Sequence, residues 1–371
     1  MLNDSTKKSW HIFAKNKLSL IGLFFIVLVS VLAIFGYWLT PDESPMANDM
    51  HLELNIEKPG ASFTFIKIPK HPQPEKVNLF TKLLYGQANR FELVAITTYR
   101  FNKNFIYYRE YLGPTESGEW KKINLRSFGA KTSSQIRKEN IINKTFWLGT
   151  DIYGRDLLSR VIIGARVSLT VGFMAVLISL LLGVTLGATA GFFGGKIDAA
   201  ISWLMNVLWS LPALLLVIAI SFALGKGFWQ VFIAVGLSMW VEVARLVRGQ
   251  VLALKNSEFV EAARSLGFSN LRTIYVHILP NIMGAILVMA ASNFASAILL
   301  EAGLSFLGFG AQPPMPTWGG MIKEHYGYIV MDGAYLALIP GLMIMLTVYA
   351  FNLITIGLRD LFDLKAENTN V

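Results

Sequence analysis

The side chains that could carry out chemistry are few in this sequence and stand far apart. Its five histidines, His11, His51, His71, His277 and His325, occur singly, without the His-x-x-x-His spacing that lets one helix hold a metal. The chain has no cysteine, which excludes a disulfide framework, a zinc-thiolate site and an iron–sulfur cluster. The hydrolase sequences Gly-x-Ser-x-Gly and His-Glu-x-x-His do not occur. We therefore predict no catalytic residue, no metal site and no cofactor in this chain.

One charged stretch, EFVEAARSLGFSNLRTIYVHILPN (258–281), stands between long apolar segments. It predicts a short helix that begins after Ser257, a suitable N-cap, and stops at Gly267. Spacing at 3.6 residues per turn places four apolar residues on one face, with two charged residues beside it. The four are Phe259, Ala262, Ala263 and Leu266, and the charged pair is Glu261 and Arg264.

Two interpretations of this stretch remain open from its geometry. The face is shallow at its two alanines, which suits docking against another protein, with Phe259 and Leu266 as anchors. An amphipathic connector resting on a lipid surface has the same pattern. After Gly267 a second short helix is predicted to end at Pro280, where the chain would change direction.

The composition identifies the class of protein. Of 371 residues, 54% are apolar and 15% charged, and the mean hydropathy is +0.49, which is typical of an integral membrane protein. In such a protein the net charge of +9 reflects basic residues kept on the cytoplasmic side rather than nucleic-acid binding.

Six apolar segments are long enough to span a bilayer. They cover residues 18–39, 168–192, 201–224, 228–247, 281–302 and 334–357. The first is predicted to be a retained helix rather than a cleaved signal peptide. Basic residues before it and between the fourth and fifth segments place both termini and the 258–281 stretch in the cytoplasm.

Residues 40–147 have the composition of a water-soluble module. Alternating stretches such as SFTFIKIPK, and turn signals at Lys58-Pro59-Gly60, Gly113-Pro114 and Glu116-Ser117-Gly118, predict a small β-structured insert outside the cell. It is either a contact site for a delivery protein or an elaborated loop.

Three further features carry predictions. Gly183, Gly187 and Gly191 repeat every four residues and predict a close helix–helix contact. GTDIYGRDLLSR (149–160) predicts the start of a separate amphipathic helix at the outer interface, with its arginines facing water or headgroups. Its charged residues Asp151, Arg155, Asp156 and Arg160 are candidates for an outer gate or docking edge, or for an interfacial anchor.

Glu301 ends an otherwise apolar segment and either lines a pathway or pairs with a basic group across a dimer. The loop that follows, with Pro313, Pro314, Pro316 and Trp318, is predicted to be a rigid outer scaffold.

The spacing Glu261-Ala262-Ala263, Gly267, Leu279-Pro280 resembles the EAA signature of binding-protein-dependent ABC importer permeases. LGTDIYGRDLLSRVIIGARVSL (148–169) and EAGLSFLGFGAQPPMPTWGGM (301–321) resemble the dipeptide/oligopeptide and nickel branch of that family. FAKNKLSLIGL and LRDLFD are similar to its C-type subunit. The resemblance covers 1–41 and 147–363. His277 departs from the general signature but fits this branch. The insert is longer than is usual for the branch.

The resemblance implies an all-α type I ABC importer permease fold with six transmembrane helices and a β-containing extracytoplasmic insert. The implied organisation is a cytoplasmic N-terminus (1–17), helix 1 (18–39), the insert (40–147), a permease core (148–358) and a cytoplasmic tail (359–371). A coupling loop would occupy 248–280. There Phe259, Glu261, Ala262, Ala263, Arg264, Leu266 and Gly267 would contact an ATPase subunit, with His277, Leu279 and Pro280 as support.

The implied partners are a homologous permease in a heterodimer, two ATP-binding subunits that hold ATP and Mg, an extracytoplasmic solute-binding protein and the bilayer of a bacterial inner membrane. The chain itself would not be catalytic. Short peptides are the expected substrate, with nickel or another chelated solute as the alternative. A secondary transporter or channel is the alternative from another class, but it typically shows internal repeats and midplane charges.

Overall fold

The helices and strands account for most of the chain. The computed structural model describes residue 10 and residues 12–113, 117–129, 131–225 and 227–367. In chain order the α-helices are α1 (Lys17–Ile34), α2 (Gly36–Leu39), α3 (Leu79–Tyr85), α4 (Ser133–Glu139), α5 (Leu157–Phe193), α6 (Gly195–Trp209), α7 (Ala213–Leu224), α8 (Phe228–Leu254), α9 (Glu258–Ser265), α10 (Asn270–Phe306), α11 (Trp318–His325) and α12 (Tyr335–Glu367). The strands are β1 (Ala61–Pro69), β2 (Phe91–Asn102), β3 (Phe105–Tyr111), β4 (Ser117–Asn124) and β5 (Ile141–Phe146).

Five of the described helices, α1, α5, α8, α10 and α12, are long and apolar enough to cross a membrane. Helices α6 and α7 pass the same test only as a pair, bent by 97°. The prediction of one unbroken helix over 201–224 is therefore wrong, because the structure has two helices there. Pro212 gives the reason, because the residue before a proline is pushed out of the helical region and the proline ring cannot continue the preceding helix.

Two predicted helix boundaries also differ from the structure. Helix α5 begins at Leu157 and runs unbroken to Phe193, so no separate amphipathic helix precedes the membrane segment. Helix α10 continues through Pro280, where a change of direction was expected. Residues Thr273–Ile278 are π-helical. This wider turn accommodates a ring that has no N–H and would clash with the previous turn.

Helix α5 packs against α8 through the three predicted glycines. A Cβ added to Gly183, Gly187 or Gly191 would lie 2.8 Å from Trp240 O, 2.9 Å from Ala244 Cα and 2.8 Å from Arg248 O, respectively. The glycines therefore let the two backbones approach closely, as small residues do in membrane interfaces. Because the partner numbers rise with the glycine numbers, α5 and α8 run in the same direction.

Helices α1 and α10 both pack against α12. The Ser19 hydroxyl of α1 donates a hydrogen bond to Leu353 O at 2.8 Å, and a Cβ on Gly22 would lie 2.7 Å from Ala350 O. On the other contact, the rings of Phe294 and Phe351 stack with centroids 4.2 Å apart. Helix α12 therefore joins the first helix of the chain to the later ones.

The insert contains the predicted small sheet, which is antiparallel with strand order β4-β3-β2-β1-β5. Both of its faces are covered. Phe65, Ala95 and Phe146 are buried with Leu54 on one face, while Ile66, Ile96 and Ile106 are buried with Phe128 and Ile136 on the other. Alternate residues of a strand face opposite sides, so neighbours such as Phe65 and Ile66 enter different cores. Residues 114–116, which belong to the turns predicted at Gly113-Pro114 and Glu116-Ser117-Gly118, lie outside the described residues, while Ser117 and Gly118 begin β4.

We expect Gly187→Ala to lower the free energy of unfolding by about 1–3 kcal/mol, because the new methyl group must push α5 and α8 apart. The matched control is Gly249→Ala. Gly249 is also helical, but nothing lies within 4 Å of its added Cβ. The control should leave stability unchanged or raise it by up to about 1 kcal/mol. Thermal unfolding of the purified variants in detergent measures both effects, and equal melting temperatures would contradict the close contact.

Candidate functional site

Helix α9 lies between the ends of α8 and α10 and presents two different faces. Val260 is fully buried and Ala263 is 3% exposed. Val260 packs with side chains of α8 and α10, among them Val251 and Ile278. The opposite face is open, with Phe259 40% and Leu266 74% exposed and Ala262 exposed between them. This face has no cover within the described chain.

The predicted face of four residues is therefore wrong at one position. Ala263 was expected to face a partner together with Ala262. Residues three apart share a helix face, so Ala263 follows Val260 into the chain's own core. The surface on offer consists of Phe259, Ala262 and Leu266, with the exposed Glu261 and Arg264 beside it.

Gly267 ends α9 with φ +78°, a conformation that favours glycine. Its N–H donates to Arg264 O and the Phe268 N–H donates to Ala263 O, at 2.9 and 3.1 Å. A Cβ on Gly267 would meet nothing within 4 Å. Backbone conformation, not lack of space, therefore requires this glycine.

Aromatic contacts brace the loop around α9. The Arg264 guanidinium lies 5.0 Å from the ring of Phe192, at the end of α5. The Phe268 ring stacks on His277 with centroids 5.4 Å apart, and the Arg272 guanidinium lies 4.3 Å from the centre of the Phe268 ring. His277 O accepts from Asn281 Nδ2 at 2.6 Å, Leu279 is buried and Pro280 is exposed. The predicted supporting residues thus lie at the start of α10, directly behind the loop.

A second cluster of charges lies at the opposite end of α5. Asp151 and Arg155 are 0% and 2% exposed, and Arg155 Nε lies 2.6 Å from Asp151 Oδ2. Arg155 also contacts Glu324 of α11 at 3.0 Å. Arg160, 1% exposed, lies 3.5 Å from Asp151 and 3.7 Å from Glu324. We call these four residues the buried ion network.

The network corrects the prediction that Arg155 and Arg160 face water or headgroups. Sequence spacing placed both on the polar side of a helix, but it gave no sign of Glu324, which stands more than 160 residues further along. Two carboxylates meeting two guanidinium groups balance the charge and make burial possible. The pattern alone could not identify this partner.

Asp151, Glu324 and His325 also place three potential metal-ligand atoms within 4.8 Å of one another. Both carboxylates are already engaged by the two arginines. His325 donates from Nδ1 to Met321 O at 2.7 Å, and burial lowers the pKa of its ring. With His325 neutral, two positive and two negative charges remain, and the arrangement is that of a balanced ion network.

Asp156, another candidate for an outer gate, caps α5. Its Oδ2 accepts from the Ser159 N–H at 2.9 Å, and it is 2% exposed. Burial raises the pKa of Asp156. Asp156 therefore caps the first turn of the helix, and its side chain is not open to the surface of the described chain.

Glu301 is 1% exposed and is surrounded by hydroxyl groups. Ser305 Oγ lies 2.7 Å and Ser168 Oγ 3.2 Å from its carboxylate oxygens. Ser168 Oγ also accepts from the N–H of Trp318, whose Nε1 donates to Val161 O at 3.0 Å. The basic partner predicted across a dimer would belong to another chain, so that pairing stays a prediction. Within this chain the group joins α5, α10 and α11.

The insert joins the helices beside the buried ion network. His51 N–H donates to Tyr153 O and Ile56 N–H to Asp151 O, both at 3.1 Å, so residues 51–56 run along the loop before α5. The His51 ring is 5% exposed and lies between two carboxylates, 3.4 Å from Asp49 and 3.7 Å from Glu53. The sequence analysis treated His51 as isolated because no second histidine stands at helical spacing from it.

Burial alone would lower the pKa of His51, but the neighbouring carboxylates of Asp49 and Glu53 outweigh it and raise this pKa. For both carboxylates, burial raises the pKa but the contacts with His51 outweigh it and lower it. We call these three residues the His51 clamp.

Comparison with known families identifies two matching regions. Residues 183–368 match the model of the binding-protein-dependent transport system inner membrane component. Residues 6–55 match the N-terminal transmembrane domain of oligopeptide transport permease C. The two matches lie on either side of most of the insert.

Individual relatives agree with these matches. The dipeptide transport system permease protein of Alkalihalophilus pseudofirmus is 42% identical over 64% of this chain and 80% of its own length. The glutathione transport system permease protein of Pectobacterium atrosepticum is 42% identical over 60% of this chain and 73% of its own length. A solved structure of the MetNI methionine ABC transporter, inward facing, superimposes on 54% of this chain and 96% of its own with 19% identity and a TM-score of 0.43, too low to decide the fold.

We expect Asp151→Asn to lower the free energy of unfolding by about 3–5 kcal/mol, because it leaves buried arginine charge without its partner. The control is Asp332→Asn, which removes the carboxylate of an exposed ion pair with Lys58. Its effect should stay below about 1 kcal/mol. Thermal unfolding compares the two variants, and a neutral Asp151→Asn would show that the buried ion network contributes nothing to stability.

The His51 clamp predicts a pH dependence. A raised pKa in the folded state means that His51 contributes stability fully below its unfolded value of about 6.5, and that this is lost as the pH rises through the higher folded value. The lowered pKa values of Asp49 and Glu53 change the stability only at more acidic pH. The melting temperature should therefore fall between slightly acidic and alkaline pH, and His51→Gln should reduce that fall. An unchanged slope in the variant would rule out the clamp as its source.

Proposed function

Since this chain belongs to the family of binding-protein-dependent transport system inner membrane components, we propose that it is the permease subunit of an ATP-driven importer of short peptides. The similar proteins from two bacteria are named for dipeptide and glutathione transport, and both substrates are small peptides. Neither name favours nickel or another chelated solute. The channel and secondary-transporter alternative has no support from the family match.

We further propose six membrane crossings, with α6 and α7 together forming the broken one. The parallel direction of α5 and α8 supports this count. A chain that leaves the end of α5 and enters α8 in the same direction must first return across the bilayer. The bent pair α6–α7 is the only described segment between them.

The insert is proposed to lie outside the cell, with both termini and α9 inside. Its contacts support this placement, since residues 51–56 run beside the start of α5 while α9 packs at the other end of that helix. The stretch from the end of α8 to the first turn of α10 carries the basic residues Lys255, Arg264 and Arg272. Short loops rich in lysine and arginine remain in the cytoplasm. The residues at 1–9 and 368–371 lie outside the described structure.

The single observation that carries the coupling proposal is the open face of α9. Phe259, Ala262 and Leu266 form a small apolar surface with charges at its edge, on a helix that is braced from behind by its own chain. Apolar anchors ringed by polar groups are typical of protein interfaces. We assign this surface to an ATPase subunit, which would hold ATP and Mg, so this chain is not itself catalytic.

The remaining partners follow from the same proposal. A homologous permease would complete the pore, and an extracytoplasmic solute-binding protein would deliver the peptide in a bacterial inner membrane. A groove of about 940 Å³ between α8, α10 and α12 suits one half of that pore. Its polar lining includes Gln250, Asn281, Ser292 and Thr355, which offer hydrogen bonds to a peptide.

We expect Leu266→Asp and Glu261→Lys to uncouple transport. A carboxylate in place of an interface anchor should weaken ATPase-subunit binding by about 2 kcal/mol or more. The matched control is Val330→Asp, since Val330 is 92% exposed and lies on the connection from α10 to α12. Peptide-stimulated ATP hydrolysis and subunit binding are measured in the reconstituted complex.

Both α9 substitutions change exposed side chains, so folding should be preserved and thermal unfolding serves as the check. Wild-type coupling in Leu266→Asp and Glu261→Lys would overturn the assignment of α9. Loss of coupling in Val330→Asp to the same degree would show that the effect is not specific to α9.

A further inference from the structure

Helix α3 of the insert has an inverted pattern of exposure. Its large apolar side chains face outwards, with Leu79 71%, Phe80 67% and Tyr85 68% exposed. Its one charged side chain is turned towards the protein, where Lys82 pairs with Glu43 at 2.6 Å and is only 24% exposed. In water, folding favours the reverse arrangement. Neighbouring Leu84 is also exposed, so the surface is continuous.

A single guanidinium group ties this helix to the end of a membrane helix. Arg166 of α5 donates to Leu83 O and Leu84 O, the last carbonyls of α3, at 2.9 Å each. The same side chain donates to Ala33 O and Ile34 O, the last carbonyls of α1, at 2.8 and 2.6 Å. A cation is favourable at a helix C-terminus, where unpaired carbonyls concentrate negative charge. Arg166 therefore fixes the ends of α1 and α3 side by side.

Further contacts hold α3 in the same place. Gly86, which ends the helix with φ +78°, sits so close to the preceding segment that an added Cβ would lie 2.7 Å from Glu43 O. The Gln87 N–H donates to Glu43 O at 2.8 Å. The Arg166 guanidinium also lies 5.1 Å from the Tyr37 ring. The position of α3 is thus set on several sides and does not depend on one bond.

The position of α1 determines the depth of α3. Helix α1 has 18 residues, which at 1.5 Å per residue span about 27 Å, close to the thickness of a hydrocarbon core. Its end is therefore where hydrocarbon gives way to headgroups. The exposed side chains of Ile34, Trp38 and Leu39 continue the outward apolar surface there. Trp38 and Tyr85 are the residue types that gather at this boundary.

We propose that α3 is an interfacial helix, which lies along the outer surface of the bilayer with Leu79, Phe80 and Tyr85 inserted among the lipids. Its apolar surface continues that of α1, and its lysine is neutralised on the protein side. The insert is then attached twice, by the backbone hydrogen bonds of residues 51–56 to the loop before α5 and by α3 to the lipid. The inference depends on α1 spanning the membrane and is independent of the transported substrate.

The absence of cysteine in the chain allows a direct test. Phe80→Cys carries an environment-sensitive fluorophore on α3, and Tyr85→Cys provides a second position should the first disturb the helix. The control is Thr98→Cys, an exposed position on β2. The full chain, assembled with its partner subunits, is reconstituted into vesicles of phosphatidylethanolamine and phosphatidylglycerol. A quencher is attached to the lipid near its headgroup.

We expect lipid-borne quenching at positions 80 and 85 to exceed that at position 98 by at least about twofold, because interfacial helices bury their apolar face at headgroup depth. Equal quenching at all three positions overturns the proposal. Protection of positions 80 and 85 by added solute-binding protein, without lipid quenching, also overturns it and assigns the surface to that protein. Failure of transport in unlabelled variants would test the proposed function and leaves this quenching comparison unaffected.

Discussion

The buried ion network is the interaction on which the arrangement of the other parts depends. Charges taken out of water are costly unless each finds a partner with good geometry. Asp151 and Arg155 lie before α5, Arg160 lies in its first turn, and Glu324 lies on α11. Their mutual neutralisation fixes the α10–α12 connection against α5. Because residues 51–56 are hydrogen-bonded along the same loop, the insert is held by the same site.

Helix α5 connects this site to the exposed face of α9, the proposed docking surface, at the other end. Its 37 residues correspond to about 55 Å at 1.5 Å per residue. The three glycines allow it to pack closely against α8. The ring of Phe192, in its last turn, lies against the guanidinium of Arg264 in α9. A displacement of α9 would therefore act on a stiff helix pair and not on a flexible loop. This geometry is consistent with the proposed role of α9, in which α5 would transmit movement from an ATPase subunit to the opposite side of the membrane.

The sequence predicts local features of this chain better than its long-range contacts. Spacing located the glycine contact, the small sheet and the helix that ends at Gly267, because each depends on neighbouring residues. It could not reveal that Arg155 meets Glu324, or that His51 lies between carboxylates of its own segment, since burial decides both. Pro212 and Pro280 show the same limit. One breaks a helix and the other is absorbed by a π-turn, and a proline in the sequence does not distinguish the two.

Exposed apolar side chains occur on three helices of this chain, and the charged residues beside them indicate whether each surface contacts lipid or protein. On α1 they lie on a helix whose one charged residue, Lys17, stands at its first position, as lipid contact requires. On α9 they stand beside the exposed Glu261 and Arg264, which favours a protein with matching polar groups. On α3 the helix's one charge is turned inward to Glu43, so the helix itself offers no outward charge to pair with a protein. The direction of the charged side chain, more than the amount of apolar surface, therefore separates lipid contact from protein docking.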